Sequence, residues 1–371
     1  MILENNNMNL PEVSVTELVD LLSRTYSRAA SAGFPFSDVP SAMLWGPAGI
    51  GKSEAVKETA ERLASKTGKR VEVTDIRLLL FSPADLRGIP SADAERKFAV
   101  WLMPRIFDLD PGEGTINILF LDEISACTQS IQAAAYQITL DRKIGEFRLP
   151  ANTIVIAAGN RTTDQSVSYK MPKALCNRLL HFNVCADYES WKRWAIKAGI
   201  DERVIGFTGF DRAKFCAEPG SSDFAYTTPR SWTFVSNILK LLDPERSDPS
   251  PAHNMIAAAV GADTAVAFEA WCRVCGDLPS VDEIMRGSCR RYPGSQDALF
   301  ALSAGLVRAV HDRGKLLRMD ELEHVCGYAA NFPTDFAMSF FNDVKDLDNV
   351  KPMILKCGSV KAWLARNKRN L

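Results

Sequence analysis

The sequence predicts an α/β fold in which a parallel sheet lies between two layers of helices, followed by a small helical lid and an all-α C-terminal extension. Three observations predict this fold. Apolar runs typical of strands buried on both faces alternate with helical patterns in the first half of the chain. A Gly-rich turn joins the first of these runs to a helix. Beyond Cys185 the strand pattern stops and only helical patterns remain.

The predicted elements alternate along the chain as an α/β core requires. The predicted strands are 42–45, 71–77, 116–121, 153–158 and 180–184. The predicted helices are 13–30, 51–65, 124–140, 188–198, 231–242, 257–274 and 295–310. We expect four domains: an N-terminal helix and linker (1–40), a three-layer αβα domain (41–186), the lid (187–243) and the extension (244–371).

Composition limits the class of protein. The 371 residues include 44 Lys and Arg against 45 Asp and Glu, a net charge of −1, which argues against a protein that coats nucleic acid. No apolar run has the ~18 residues of a membrane span, and the first residues lack a signal-peptide pattern. The nine cysteines are odd in number and scattered, which is typical of reduced thiols. We therefore expect a soluble, cytoplasmic protein.

Residues 46–53, GPAGIGKS, match the phosphate-binding pattern G-x-x-x-x-G-K-[ST] between a strand and a helix. Glycines let the backbone curl so that its N–H groups and the helix N-terminus face an anion. Lys52 is expected to reach the β- and γ-phosphates, and the Ser53 hydroxyl to bind Mg²⁺. The predicted nucleotide-binding residues of this loop are Gly46, Pro47, Ala48, Gly49, Ile50, Gly51, Lys52 and Ser53.

Two carboxylates follow the predicted strand 116–121. A buried strand that ends in Asp122 and Glu123 favours a cation at that point, because unpaired buried charge is costly. Asp122 is expected to bind Mg²⁺ together with Ser53, and Glu123 to orient and deprotonate the attacking water. The alternative for Asp122 is a capping role at the helix that follows.

The acidic pair also distinguishes between classes of nucleotide-using enzyme. A small-molecule kinase needs no water-activating Glu, since its nucleophile is the substrate. A GTPase should carry N-K-x-D, and the nearest string, NRTTD at 160–164, has the wrong spacing. The chain is therefore predicted to be a nucleotide hydrolase that uses ATP, releases ADP and requires Mg²⁺.

The order of these motifs resembles the AAA+ ATPases, and more closely the MoxR branch with its dynein-related relatives, over about residues 40–235. The resemblance implies that Asn160, at the tip of TIVIAAGN, is the sensor-1 residue, whose amide contacts the lytic water or the γ-phosphate. A simple turn at Gly159–Asn160 is the alternative.

Two arginines gain roles from the same resemblance. Arg178, in KMPKALCNRLLHFNV (170–184), is similar to the arginine finger that reaches a neighbouring subunit's nucleotide. The alternatives are that Arg178 neutralises its own helix C-terminus, and that Arg161 is the finger. Arg230, in TTPRSW (227–232), is similar to the sensor-2 residue at the start of a lid helix, with Pro229 in the first turn.

Two further segments resemble insertions of this branch. Residues 83–90 with 97–104 are similar to a helix-2 insert, a hairpin facing the ring pore, and 141–150 to the pre-sensor-1 hairpin with Gly145 at its turn. Both lie where such rings contact what they remodel. Phe98 and Trp101 either make that contact or pack within the hairpin, and the sequence does not choose.

The last third of the chain carries no catalytic pattern. Cys272 and Cys275 form a C-x-x-C string without further ligands, so helix packing is favoured over a metal site. The residues from 252 onward weakly resemble the extension of some MoxR-type proteins encoded beside von Willebrand factor A-type partners. The basic stretch 351–371 is either a solvated helix face or a docking site.

These observations predict a MoxR-like ATPase that forms a homo-oligomeric ring, expected to be a hexamer, and remodels a partner protein, for which a von Willebrand factor A-type protein is the candidate. One alternative is a nucleic-acid motor or loader, motivated by Trp363 among the basic residues of the tail. Another is a nucleotide-gated scaffold with slow turnover.

Overall fold

The computed structural model describes residues 10–164, 169, 171, 176–220, 223–245, 248–275, 278–348 and 350–367. The chain divides into two units between Asp187 and Tyr188. The first unit carries a sheet and the second is helical, which confirms the predicted fold class. The segment 10–40 lies in the first unit, and the predicted lid and extension lie together in the second. Our division into four domains stays a prediction.

Six parallel strands form the sheet of the first unit. Their spatial order is β1 (Glu12–Ser14), β10 (Leu180–Cys185), β2 (Ala42–Trp45), β9 (Thr153–Gly159), β6 (Thr115–Asp122) and β3 (Arg70–Arg77). Every residue of β2 and β9 is buried, as expected of strands covered on both faces. The five strands predicted from apolar patterns are all present, with ends that shift by one residue at most.

Four helices accompany this sheet: α1 (Val15–Ala32), α2 (Lys52–Thr67), α3 (Pro83–Arg87) and α4 (Gln129–Tyr136). Helix α1 begins with a capping box, in which the Ser14 hydroxyl accepts the Glu17 N–H and the Glu17 carboxylate accepts the Ser14 N–H. It ends at Gly33, whose φ of 64° suits a glycine. Its apolar face, which includes Leu18 and Leu22, is buried.

Two of the predicted helices were wrong in their extent. Helix α1 begins at Val15 rather than at residue 13, because Glu12–Ser14 pairs with β10 as a strand. The predicted helix 124–140 is broken into a 3₁₀ turn (Ile124–Ala126), α4 and a π-helical turn (Gln137–Asp141). The break follows from extended backbone at Thr128, which has a ψ of 156°.

Both predicted hairpins are present. The first joins β4 (Ile89–Ala92) to β5 (Ala99–Leu102), and the second joins β7 (Lys143–Ile144) to β8 (Phe147–Arg148). Gly145 lies at the second turn with a φ of 56°, and a Cβ there would lie 2.7 Å from the Arg87 carbonyl oxygen. The turn therefore requires glycine both for its backbone conformation and for its close contact with the end of α3.

The described residues of the second unit contain helices and no strands. The helices are α5 (Tyr188–Ala198), α6 (Glu202–Phe210), α7 (Pro229–Leu242), α8 (His253–Val260), α9 (Ala262–Cys275), α10 (Val281–Met285), α11 (Gln296–Arg313), α12 (Met319–Ala329), α13 (Thr334–Lys345), α14 (Lys351–Ile354) and α15 (Gly358–Asn367). The predicted helix 257–274 was wrong, because Gly261 separates α8 from α9 with a φ of 89°. Within the described ranges, no helix has the length and apolar character needed to cross a membrane.

A buried ionic group joins two helices of the second unit. Arg203 in α6 donates two hydrogen bonds to Asp201, at 3.0 and 2.9 Å, and also contacts Asp243 at the end of α7. The three side chains are only 10%, 3% and 4% exposed. Removing the cation would take the positive charge of Arg203 away from two buried carboxylates, which is costly.

We expect Arg203→Ala to destabilise the second unit by about 3 kcal/mol, because both carboxylates lose their compensating charge. Urea unfolding followed by tryptophan fluorescence measures the loss. Lys351→Ala is the control, since Lys351 pairs with Asp348 on the surface at 59% and 77% exposure and should cost under about 1 kcal/mol. Equal losses in the two variants would contradict a stabilising role for the buried group.

Candidate nucleotide-binding site

The Gly-rich loop lies between β2 and α2, as its pattern predicts. Gly46, Gly49 and Gly51 have φ values of 148°, 81° and 105°, a range that side-chain-bearing residues rarely adopt. A Cβ on Gly46 would lie 2.6 Å from the Val184 carbonyl oxygen. The loop therefore needs glycine to curl beside β10 and to present its N–H groups at the start of α2.

The Lys52 ammonium joins the loop to the neighbouring strand. Its Nζ donates to the carbonyls of Gly46 and Pro47, the latter at 2.9 Å, and to Oδ1 of Asn160 at 3.0 Å. The side chain is buried, so the cation depends on these oxygens. Phosphate oxygens are acceptors of the same kind, and the position therefore suits the predicted contact with the β- and γ-phosphates.

Ser53 and Asp122 meet beside the loop. The Ser53 hydroxyl donates to Oδ2 of Asp122 at 3.4 Å, and Oδ1 of the same carboxylate accepts the Glu123 N–H at 2.9 Å. A hydroxyl and a carboxylate are hard oxygen ligands, which fits Mg²⁺ with water and phosphate completing its shell. The capping role considered for Asp122 is thus limited to the N–H of the next residue.

Glu123 has an unusual backbone. Its φ of 60° and ψ of 29° lie in the left-handed region, and a single 3₁₀ turn follows. Its carbonyl accepts a weak hydrogen bond from the Cys127 thiol at 3.4 Å. Burial, with a smaller effect of the negative Glu123 carboxylate, raises the pKa of Cys127 to about 11, so Cys127 stays a neutral thiol at neutral pH.

Two acidic groups lie on neighbouring strands near the loop. Asp75 in β3 and Asp122 in β6 are close enough to interact, since burial and then the Asp122 charge raise the pKa of Asp75. Arg77 and Lys57 act in the opposite direction on the same group. This edge of the sheet therefore carries charges of both signs, with Arg77 in register with Asp122.

Asn160 and Arg161 follow β9 but differ in their surroundings. Asn160 contacts Lys52 and is half-buried at the end of the strand. Arg161 is held by its own unit, with an ion pair of 2.7 Å to Asp164 and a hydrogen bond of 3.0 Å to Asn183. These contacts disfavour Arg161 as a residue that reaches another subunit.

Arg178 lies in an exposed turn just before β10. Its side chain forms no hydrogen bond or ion pair with the part of the chain that the structure describes. Residues 170 and 172–175 of the predicted segment lie outside the described residues.

Arg230 is the second residue of α7 and is exposed. Thr228 and Ser231 form the capping box of this helix, and Pro229 lies in its first turn. Arg230 belongs to the second unit, so its role at the site stays a prediction.

Two polar residues near Glu123 were missed by the sequence analysis. The buried Ser125 hydroxyl accepts the Asn160 backbone N–H at 2.9 Å. The buried Gln132 amide donates to the carbonyls of Ile124 and Cys127, both at 3.2 Å. Their only signal in the sequence is that both are polar residues within a helical pattern. Because we predicted one continuous helix over 124–140, this signal did not point to a turn.

The structure describes only one of the two side chains of the C-x-x-C string. Cys272 is buried in α9, and the Cys275 side chain lies outside the described residues. No group of three or more His, Cys, Asp or Glu in the described ranges is arranged to hold a metal ion. The preference for helix packing over zinc stays a prediction.

Comparison with protein families decides the class of the first unit. Residues 42–183 match the family described as "ATPase family associated with various cellular activities (AAA)". This segment is similar to AAA ATPase domains. The domain hydrolyses ATP, as the loop and acidic pair predicted, and the match covers the strands that carry both. The match does not extend to the second unit and does not distinguish the MoxR branch.

Similarity to solved structures is low, and no curated protein matches the sequence. A RuvB point mutant of Thermotoga maritima is 17% identical with a TM-score of 0.35, covering 79% of this chain and 84% of its own. Aeropyrum pernix ORC2 is 12% identical with a TM-score of 0.36, covering 97% and 98%. Brucella abortus NtrX in complex with ATP is 15% identical with a TM-score of 0.36, covering 91% and 70%. Similarities of this size have no bearing on function.

We expect Glu123→Gln in the AAA ATPase domain to bind ATP normally but to lower the hydrolysis rate at least ~100-fold, because the amide cannot take a proton from water. Fluorescent-nucleotide titration and steady-state phosphate release measure the two effects. Glu113→Gln, at an exposed loop position before β6, is the matched control and should keep the wild-type rate. Undiminished hydrolysis by Glu123→Gln would remove Glu123 from this role.

Proposed function

We propose that this AAA ATPase is a MoxR-like ring protein that couples ATP hydrolysis to the remodelling of a partner protein. The observation that supports the proposal is the apolar surface of the β4–β5 hairpin. Phe98, Ile89 and Leu102 are 72%, 66% and 58% exposed on this one small element. Large apolar side chains grouped on a surface favour contact with another protein.

The hydrolytic step follows from the proposed roles. Lys52 binds the β- and γ-phosphate oxygens, while Ser53 and Asp122 would hold Mg²⁺, which neutralises developing charge on those oxygens. Glu123 takes a proton from water as the water oxygen attacks the γ-phosphorus, and Asn160 orients that water. The bond from γ-phosphorus to the bridging oxygen breaks, and ADP and phosphate are released.

The charge that develops near the leaving group calls for an arginine in addition to Lys52, and Arg161 and Arg178 are the two candidates. Arg161 is occupied by Asp164 and Asn183, whereas Arg178 is exposed on the turn before β10. An arginine supplied by a neighbour can raise the rate of such reactions by roughly 10³ to 10⁵. This difference between the two arginines supports Arg178 as the finger and a ring, which we propose to be a hexamer.

The second hairpin, β7–β8, offers a smaller surface of the same kind, with Phe147 38% exposed. Together with Phe98 it supports a protein client, and we propose a von Willebrand factor A-type protein in the cytoplasm as the partner. Trp101 is half-buried, so of the two aromatic residues in the first hairpin Phe98 is the better contact residue.

The alternative of a nucleic-acid motor loses its main support. Trp363 is 3% exposed and packs edge-on against Phe341 at 5.1 Å between ring centroids, so it is not available to stack on a base. Lys368 and Arg369 of the basic tail lie outside the described residues.

The third alternative is a nucleotide-gated scaffold with slow turnover. Measuring the steady-state ATPase rate with and without the partner distinguishes such a scaffold from a remodeller.

We expect Arg178→Ala to assemble normally but to hydrolyse ATP at least ~100-fold more slowly. Mixing it with Glu123→Gln should restore activity, because a site with an intact Glu123 can then lie beside an intact Arg178 of the other variant. Phosphate release across mixing ratios measures this recovery, and light scattering checks assembly. A wild-type rate for Arg178→Ala, or mixed samples that stay inactive although they co-assemble, would contradict a finger acting between subunits.

We expect Phe98→Ala to leave basal ATP hydrolysis unchanged and to abolish client capture, because the hairpin loses its most exposed apolar side chain. The measurement is affinity capture with ATP-bound Glu123→Gln rings, with and without Phe98→Ala, followed by mass spectrometry. Phe34→Ala, which removes a 50% exposed ring beyond α1, is the matched control and should retain the clients. Capture of DNA that weakens steeply with salt, instead of protein, would favour the nucleic-acid alternative.

A further inference from the structure

Ser125 lies between two groups of the proposed hydrolytic machinery. It is in the 3₁₀ turn directly after Glu123, it is only 1% exposed, and its hydroxyl accepts the Asn160 backbone N–H at 2.9 Å. We propose that Ser125 is a positioning residue for ATP hydrolysis, which holds Glu123 and Asn160 in a fixed relation. This inference rests on the roles proposed above for Glu123 and Asn160.

The hydrogen bond between Ser125 and Asn160 lies beyond the last paired residues of β6 and β9. The ladder between β6 and β9 ends at Leu121 and Ala157. Glu123 and Asn160 follow two and three residues later, where strand pairing no longer fixes their separation. The Ser125 hydroxyl therefore supplies a connection in a place where the backbone of the sheet supplies none.

The turn that carries Glu123 needs such support. A residue other than glycine in the left-handed region costs of order 1–3 kcal/mol and keeps that conformation only when its surroundings require it. Gln132 holds the turn from the side of α4, through the carbonyls of Ile124 and Cys127. Ser125 holds it from the side of β9, so the two contacts fix the turn in different directions.

Gly159 shows how closely the turn approaches the strand. A Cβ on Gly159 would lie 2.7 Å from the Ser125 hydroxyl oxygen and 2.9 Å from the Met43 Cε atom. Glycine at this position lets Ser125 reach the backbone of the next residue, Asn160. The Ser125 carbonyl also accepts the Tyr169 N–H at 2.7 Å, so the hydroxyl and the carbonyl of Ser125 both bind the segment that follows β9.

A base and a water-orienting amide act together only if their separation is correct, and a misplacement of about 1 Å can cost ~100-fold in rate. Nucleotide binding depends instead on the loop and Lys52. Loss of the Ser125 hydroxyl should therefore reduce kcat while leaving nucleotide affinity nearly unchanged. A residue that only stabilises the fold would not produce this separation of kcat from KM.

The test is Ser125→Ala in the full chain, with Ser41→Ala as the matched control. Ser41 is also 1% exposed in the first unit, and its hydroxyl donates to the Thr139 carbonyl at 2.8 Å, before β2 and away from the proposed machinery. We expect kcat to fall ~10-fold or more in Ser125→Ala with KM and ATP affinity within about twofold of wild type. Ser41→Ala should keep kcat within about twofold at a comparable loss of thermal stability.

Equal kcat values in Ser125→Ala and Ser41→Ala would overturn the proposal, as would a rise in KM that accounts for the whole loss. If Ser125→Ala does not fold, Ser125→Cys keeps the shape of the side chain and replaces the hydroxyl with a larger thiol that is a weak acceptor. We then expect a smaller fall in kcat of the same kind, and a wild-type kcat would overturn the proposal.

A double-variant cycle with Asn160→Ala separates this inference from the proposed function. If Ser125 acts through Asn160, adding Ser125→Ala to Asn160→Ala should lower kcat less than about twofold further. A full additional ~10-fold loss would contradict action through Asn160. Glu123→Gln is measured in parallel: its undiminished turnover would refute the proposed machinery, whereas its inactivity beside a fully active Ser125→Ala would refute only the positioning role.

Discussion

The arrangement of the site depends on the pairing of β9 with strands on both sides. Trp45 of β2 is in register with Gly159, and Leu121 of β6 is in register with Ala157. Because the three strands are parallel, their carboxyl ends reach the same edge of the sheet, where ligands of such sheets bind. The phosphate loop, the acidic pair and Asn160 meet there, and the Lys52 ammonium crosses from the loop to Asn160. A slip of one residue in either ladder would separate these groups.

The sequence was most informative where one physical requirement dominated. Strands covered on both faces are mostly apolar, so β2, β6 and β9 were predictable from their short apolar runs. The loop was predictable because curling around phosphate requires glycine at fixed positions. Gly145 was placed at a hairpin turn by the family resemblance, and the structure shows it there with a positive φ.

The features that the sequence did not predict depend on contacts between distant segments of the chain. The strand Glu12–Ser14 is only three residues long, and its identity comes from pairing with β10 about 170 residues away. The turn that carries Glu123 is held by contacts with Asn160 and Gln132, and neither contact has a local pattern in the sequence. Only the family resemblance favoured Arg178 over Arg161, since the ion pair of Arg161 with Asp164 and its bond to Asn183 exist only in the folded unit.

The pairing of β1 with β10 has a consequence for how this domain can be isolated. The family match begins at residue 42, but the sheet begins at Glu12, and α1 packs on α2. A fragment cut at residue 42 would expose the backbone N–H and C=O groups along β10 and the apolar face of α2 that α1 covers. Such an open edge invites pairing with other chains and aggregation. The smallest fragment expected to stay monomeric and folded therefore includes the residues from β1 onward, although those residues carry none of the nucleotide motifs.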